Sequence, residues 1–178
     1  MDISELNELV SMHGNAVYGF CHKLAKNRID ADDLYQETFL KALELCHKID
    51  KNNNPKGFLI SIAIRLWKNN SRKYARRKRL AEIEELHEDT HSPTINDNPT
   101  PEEIAISNEL RSRIQTAADT LNDKLRLPLY MYYTAGMSNE DIAAALKIPQ
   151  GTVKSRLYKA RKALKNILEM EAGVYEKF

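Results

Sequence analysis

The residues best placed to do chemistry are cations. Between Arg65 and Arg79 eight basic side chains occur without an acid: Arg65, Lys68, Arg72, Lys73, Arg76, Arg77, Lys78 and Arg79. Trp67 and Tyr74 are interleaved with them, and Asn69, Asn70 and Ser71 lie between. Aromatic faces beside cations suit the unstacked bases of single-stranded nucleic acid. The competing reading places Trp67 in a core and leaves the cations solvated. A second run, Lys147 to Lys165, holds seven basic residues and again no acid. In it Lys154, Ser155, Arg156, Tyr158 and Lys159 follow Gln150, Gly151 and Thr152. Arg and Lys donate to guanine in a major groove, and Ser and Lys hold phosphates. Gly151 permits close backbone approach at a helix start, which itself favours a phosphate. The plainer reading is a solvated basic helix closing a bundle.

Catalytic chemistry finds little support. The histidines are His13, His22, His47, His87 and His91, and the pairs Cys21-His22 and Cys46-His47 invite a zinc reading. Neighbouring residues on a helix point about 100° apart, and no double Cys-x-x-Cys spacing exists. Packed cysteines with surface histidines are the expectation. There is no Gly-rich phosphate loop, Walker signature or nucleophile elbow. No catalytic residue, metal ligand or cofactor is therefore assigned, and the chain reads as a non-enzyme.

The chain has 178 residues, enough for one domain or two small ones. Lys and Arg number 27 against 25 Asp and Glu, a net charge of +2 that by itself speaks against a polyanion partner. The charges are segregated, however: nine acids and no Lys or Arg lie between Glu82 and Glu109, separating the two basic runs. That asymmetry suggests nucleic-acid contact at two places. The acidic stretch also holds Pro93, Pro99 and Pro101 and few apolar residues, so it cannot bury enough surface to offset its ordering entropy. It is read as a flexible acidic linker at 86–100. No apolar run approaches the ~20 residues of a membrane span. The acidic start Met1-Asp2-Ile3-Ser4-Glu5 is unlike a signal peptide, so a cytoplasmic location is expected.

Both flanks read as helical, giving an all-α fold of two small domains, 1–85 and 101–178. Leu6, Leu9, Val10, Val17, Phe20 and Leu24 recur at three-to-four spacing. Asp30 is expected to cap a second helix, with Leu34, Thr38, Ala42, Leu45 and Ile49 on one face and Phe39, Leu43 and Cys46 on an adjacent one. That helix should pack on two sides. Asn52-Asn53-Asn54-Pro55 is a turn before a helix with Phe58, Leu59, Ile62, Ala63 and Leu66 inward. The second domain opens near Pro101, with Leu110, Ile114, Ala118 and Leu121 on one face. A helix from about Asn122 to Ala135 follows, bent or delayed by Pro128 and ended at Gly136. Ser138 and Asp141 resemble a capping box for a short helix to Leu146. Lys147-Ile148-Pro149 turns into a last long helix carrying Val153, Leu157, Ala160, Leu164 and Leu168 inward. This is a helix-turn-helix, with Ile142, Ala143 and Leu146 expected to pack on Val153 and Leu157.

Three segments carry a family resemblance. Asp30-Ala31-Asp32-Asp33-Leu34-Tyr35-Gln36-Glu37-Thr38-Phe39-Leu40-Lys41-Ala42 resembles the signature of bacterial sigma factors of the extracytoplasmic-function group. Phe58-Leu59-Ile60-Ser61-Ile62-Ala63 is similar to a second part, and Ile148 to Leu157 with Ala160-Arg161 to the group's recognition helix. The order and spacing match over nearly the whole chain.

The resemblance implies a subunit that binds core RNA polymerase and directs it to promoters. Asp33, Gln36 and Glu37 lie at i, i+3 and i+4 on one helix face and would dock on the polymerase clamp. A loop and helix holding Arg65, Lys68, Asn69, Asn70, Arg72, Lys73, Arg76 and Arg77 would take the −10 element as melted single strand. Gln150, Thr152, Lys154, Ser155, Arg156, Tyr158 and Lys159 would read the −35 element as duplex. The acidic linker would thread the channel that later carries RNA. Many relatives are held inactive by an anti-sigma factor, so one is an expected partner. Arg65 stands where the family often has Asn, and Phe58 where Trp is common. The alternatives are a stand-alone helix-turn-helix regulator, which leaves the acidic face and the aromatic-basic block unused, and a small enzyme with a DNA-binding appendage, which lacks a catalytic constellation.

Overall fold

A computed structural model describes residues 3–25, 27–45, 54–80 and 101–175. The described residues form helices only: α1 (Ile3–Leu24), α2 (Arg28–Glu44), α3 (Pro55–Leu80), α4 (Pro101–Asp119), α5 (Asp123–Tyr133), α6 (Asn139–Leu146) and α7 (Gln150–Tyr175). The expected linker at 86–100, together with Cys46, His47 and Ile49, lies outside them. The chain divides into two compact units. One holds α1 to α3, the end of α5 from Tyr130, and α6; the other holds α4, the rest of α5, and α7 from Gly151.

In the first unit, α1, α2 and α3 pack on one another. Leu9, Val17, Phe20 and Leu24 of α1, Leu34, Phe39 and Ala42 of α2, and Leu59, Ile60, Ile62, Ala63 and Ile64 of α3 are buried. Buried Thr38 donates its hydroxyl to the Leu34 carbonyl at 2.6 Å, so its polar atom is satisfied inside the helix. The α1–α2 seam is registered by aromatic edges: Tyr18 meets Tyr35 at 5.5 Å and 87°, and Tyr35 meets Phe39 at 5.0 Å and 63°. Tyr18 Oη also donates to Asp32 Oδ1 at 2.9 Å, and this bond to a carboxylate raises the phenol's pKa.

Three expectations need correction. Asn27, not Asp30, caps α2: its side chain accepts from the Asp30 amide at 2.8 Å and its Nδ2 donates to Asp30 Oδ2. The amide side chain at extended backbone serves the first turn, and the carboxylate three residues on reciprocates. Leu43 is exposed, because the seams with α1 and α3 use other sides of α2. Leu110 and Ile114 of α4 are exposed too; among the described side chains of that helix the buried ones are Ala117 and Ala118, followed by Leu121 beyond its end.

α3 starts at Pro55, as the turn residues require. Asn54 holds the start: its Oδ1 accepts from the Gly57 amide at 2.7 Å and its carbonyl accepts from the Phe58 amide at 3.1 Å. Asn54 has φ 54°, a left-handed backbone that Asn tolerates better than most residues. A Cβ at position 57 would lie 2.3 Å from Asn54 Nδ2, so glycine is needed there for the cap to close. The same Asn54 Nδ2 donates to the Asp141 carbonyl of α6 at 3.2 Å. Beside it Lys56 Nζ donates to the Gly136 carbonyl at 3.1 Å. α6 thus rests on the start of α3.

The second unit buries Ala117, Ala118, Leu121, Leu127, Leu129, Val153, Leu157 and Ala160, with Leu164 and Leu168 half-buried. Pro128 neither stops nor delays α5, which runs from Asp123 through it to Tyr133. Proline leaves the Lys124 carbonyl without its helical partner, and the near-complete burial of its ring compensates. Arg126 ties the end of α4 to α5, bonding Asp123 Oδ1 at 2.8 Å and pairing with Asp119 at 3.7 Å.

Two predictions follow from the first unit. Asn54→Ala removes the cap and leaves a residue less tolerant of the left-handed backbone, and should cost about 1–2 kcal/mol in denaturant unfolding, with Asn54→Gly costing less. His13, partly buried with its Nε2 unpartnered and Lys56 nearby, has its pKa lowered by burial first and by the Lys56 charge second. Unfolding therefore takes up a proton as pH falls below the ordinary histidine value of about 6.5. Stability should be full above that pH and decline below it, and His13→Gln should flatten the decline in urea midpoints at about pH 7.5 and about pH 5.5.

Candidate nucleic-acid and protein interfaces

α3 is one unbroken helix, so Arg65 to Arg77 do not form the expected loop followed by a helix. The helix contains no acid anywhere along its 26 residues. Its first ten residues supply the core, and from Lys68 onward the described side chains are exposed. At about 100° per residue, Arg65, Lys68, Asn69, Arg72, Lys73 and Arg76 fall within an arc of about 140°. Asn70 and Arg77 fall outside this arc. Trp67 and Tyr74, seven residues apart, lie on nearly the opposite side, in line with the buried residues of the first half. Trp67 is half-buried and Tyr74 39% exposed. The projecting half thus has a cationic face and an aromatic one. Cations near the end of a helix also complement its dipole.

α6, a turn at Lys147-Ile148-Pro149 and α7 follow one another in the order read from the sequence. The capping box is present: Ser138 Oγ accepts from the Asp141 amide at 3.1 Å, and the Asp141 carboxylate accepts from the Ser138 amide. Lys147 closes α6 with φ 54° and ψ 48°, a left-handed conformation usually given to Gly or Asn. Its amide reaches back to α6, and the Ile148 amide bonds the Ala143 carbonyl at 3.1 Å, which sharpens the turn. Its cation sits at the negative end of α6.

On α7 the buried residues Val153, Leu157 and Ala160 define the inner side. Opposite them lie Ser155, Tyr158, Lys159 and Lys162, all exposed, with Tyr158 at 65%. Lys154 and Thr152 flank this face. Arg156 is half-buried, at the edge of the inner side. Gln150 is engaged within the turn, where its amide donates to Glu140 Oε1 at 3.3 Å. A Cβ at Gly151 would meet nothing within 4 Å, so the start of the helix is open. Lys162 belongs to the outward face; counting on from Ser155 by seven would have found it.

Asp33, Gln36 and Glu37 of α2 are all exposed and share one face, as their spacing requires. Among the described residues no group of three or more His, Cys, Asp or Glu is placed to hold a metal ion. Cys21 is buried, and burial pushes its thiol up to about 12, so it stays protonated at neutral pH. His13 and His22 are half-buried rather than on the surface. No helix among the described residues is long and apolar enough to cross a membrane.

Comparisons with known proteins agree with this arrangement. Residues 9–77 match the family model Sigma-70 region 2, and residues 111–164 match Sigma-70, region 4. The chain is 32% identical over 162 residues to the ECF RNA polymerase sigma factor SigE of Mycolicibacterium smegmatis, covering 91% of this chain and 61% of that relative. It is 30% identical over 165 residues to the ECF RNA polymerase sigma factor SigW of Bacillus subtilis, covering 90% and 87%. In fold it resembles the sigma factor RpoE of Bartonella quintana, solved in complex with the anti-sigma factor NepR, with a TM-score of 0.77 at 22% identity over 94% of this chain and 98% of that one. It also resembles CnrH, solved with the cytosolic domain of CnrY, with a TM-score of 0.68 at 20% identity, covering 95% and 90%. With both sigma regions present in order and a cationic helix in each, the chain belongs to the extracytoplasmic-function group of bacterial RNA polymerase sigma factors.

Proposed function

We propose that this sigma factor brings core RNA polymerase to promoters through three separate faces, used at once. The observation that carries the reading is the pair of acid-free cationic faces, one on α3 and one on α7, in a chain whose net charge is only +2. Residues 1–85 serve polymerase and the −10 element, residues 101–178 serve the −35 element, and 86–100 tether them. The α7 face, with Ser155, Tyr158, Lys159 and Lys162 outermost and Lys154 and Arg156 beside them, enters the major groove of the −35 duplex. The open start of the helix at Gly151 approaches a phosphate. Gln150 supports the turn rather than a base.

The cationic arc of α3 follows the backbone of the melted −10 strand, and Trp67 and Tyr74 offer surfaces on which bases stack. Binding energy from bases taken out of the stack opens the duplex, so no catalytic group or cofactor is needed. Asp33, Gln36 and Glu37 pair with basic groups on the polymerase clamp. The acidic tether, carrying the charge of RNA, occupies the channel that the transcript later fills. The protein works in the cytoplasm, and an anti-sigma factor holds it inactive by covering the polymerase-docking face.

Reconstituted transcription tests this reading. The purified chain with core polymerase should give promoter-dependent runoff without nucleotide hydrolysis by the chain itself. Tight dimeric binding to duplex DNA, with no runoff from any promoter of its own genome, would instead establish a stand-alone regulator. Lys159→Ala and Arg156→Ala should each weaken binding to a −35 duplex, by about 1–3 kcal/mol where a base contact is lost. Asp33→Ala combined with Gln36→Ala should lower core affinity and leave −35 binding intact.

A further inference from the structure

The outward side of α2 is not simply acidic. Ile29 is 74% exposed and Leu40 63% exposed, and both lie on the helix face that carries Asp33, Gln36 and Glu37. Leu43 is exposed at the same edge. None of residues 29, 33, 36, 37, 40, 43 and 44 is basic. The nearest lysine, Lys41, is turned about 100° away from Leu40 and is paired with Glu44. Between α1 and α2 the face opens into a groove of about 310 Å³, lined by Val10, Tyr35, Gln36, Phe39 and Leu40. Buried Phe39 and half-buried Tyr35 and Val10 supply apolar surface, Leu40 stands as an exposed wall, and Gln36 places one amide at the edge.

Exposed ion pairs bind weakly and are screened by salt. An apolar side chain seated in a desolvated pocket at the centre of an interface is where binding energy concentrates. A groove with apolar walls and a rim of net negative charge, Asp33, Glu37 and Glu44 against Lys41 alone, therefore fits a large apolar side chain flanked by Lys or Arg. We propose that the α1–α2 groove is the anchor pocket of the polymerase-docking face, receiving a large apolar side chain flanked by Lys or Arg from the core enzyme. This rests on the reading that Asp33, Gln36 and Glu37 face polymerase, and it adds that Leu40 and Val10, rather than the acids, carry most of the affinity.

The test measures affinity of the full-length chain for purified core polymerase at low and high salt, with thermal unfolding and solution mass recorded for each variant. Leu40 is exposed, so Leu40→Ser should unfold at the wild-type temperature. It should lose core affinity by at least about tenfold at both salt concentrations, and Leu40→Met should restore it. Asp33→Ala should lose affinity mainly at low salt. If Leu40→Ser binds core like wild type while Asp33→Ala is weakened, the groove is not the anchor although the docking reading stands. If neither variant is weakened, the docking reading and the groove fall together. A wild-type dimer that Leu40→Ser converts to a monomer of unchanged core affinity would assign the groove to a second copy and overturn the proposal.

Discussion

The start of α3 is held by the Asn54 side chain, and much of the first unit depends on that hydrogen bond. Asn54 Oδ1 accepts from the Gly57 amide, and its backbone carbonyl takes the first helical bond from Phe58. The helix then presents Leu59, Ile60, Ala63 and Ile64 to α1 and α2. Because a helix turns about 100° per residue, a slip of one residue against this seam would swing the cations at 65, 68, 72 and 76 by the same angle. Cap and seam together aim the cationic arc. The second bond from Asn54, to the Asp141 carbonyl, makes the same side chain a support for α6. One short polar residue thus supports both α3 and α6.

The small net charge follows from how amphipathic helices divide their surfaces. α3 and the first turns of α7 concentrate cations on their solvent side, while α2 concentrates acids and exposed leucines on its own. The described outward faces of α3 and of the first turns of α7 each keep one sign, so the potential there is far stronger than +2 spread over 178 residues would produce. Whole-chain charge is a weak guide when helices are the units that meet partners.

Much of this was legible from spacing alone. Pro55, the Ser138–Asp141 box and the turn at 147–149 are local signals, and local signals set helix ends directly. What was hidden depended on tertiary context. Asn27 and Asp30 are both good caps, and the choice between them turns on backbone angles that composition does not encode. Periodicity marks Leu43, Leu110 and Ile114 as apolar-face residues, but it cannot say whether a neighbouring helix is present to cover them. The contacts from Asn54 to Asp141 and from Lys56 to Gly136 join residues more than 75 positions apart and leave no local trace. Gln150, the first residue of α7, bonds Glu140 of α6 across the turn, a contact its place at a helix start does not reveal.

The faces also differ in kind. On the proposed reading, α3 and α7 contact phosphates, and such contacts depend on counterion release and weaken steeply with salt. A docking face whose exposed surface includes Ile29, Leu40 and a groove floored by Phe39 gains from removing apolar area from water, a term salt does not diminish. A subunit that must stay with polymerase while it samples and leaves many DNA sites needs such an asymmetry. If both contacts were ionic, any condition that released the promoter would also release the enzyme. On the proposed reading, apolar residues on α2 and cations on α3 and α7 would allow the two affinities to be set independently within one chain of 178 residues.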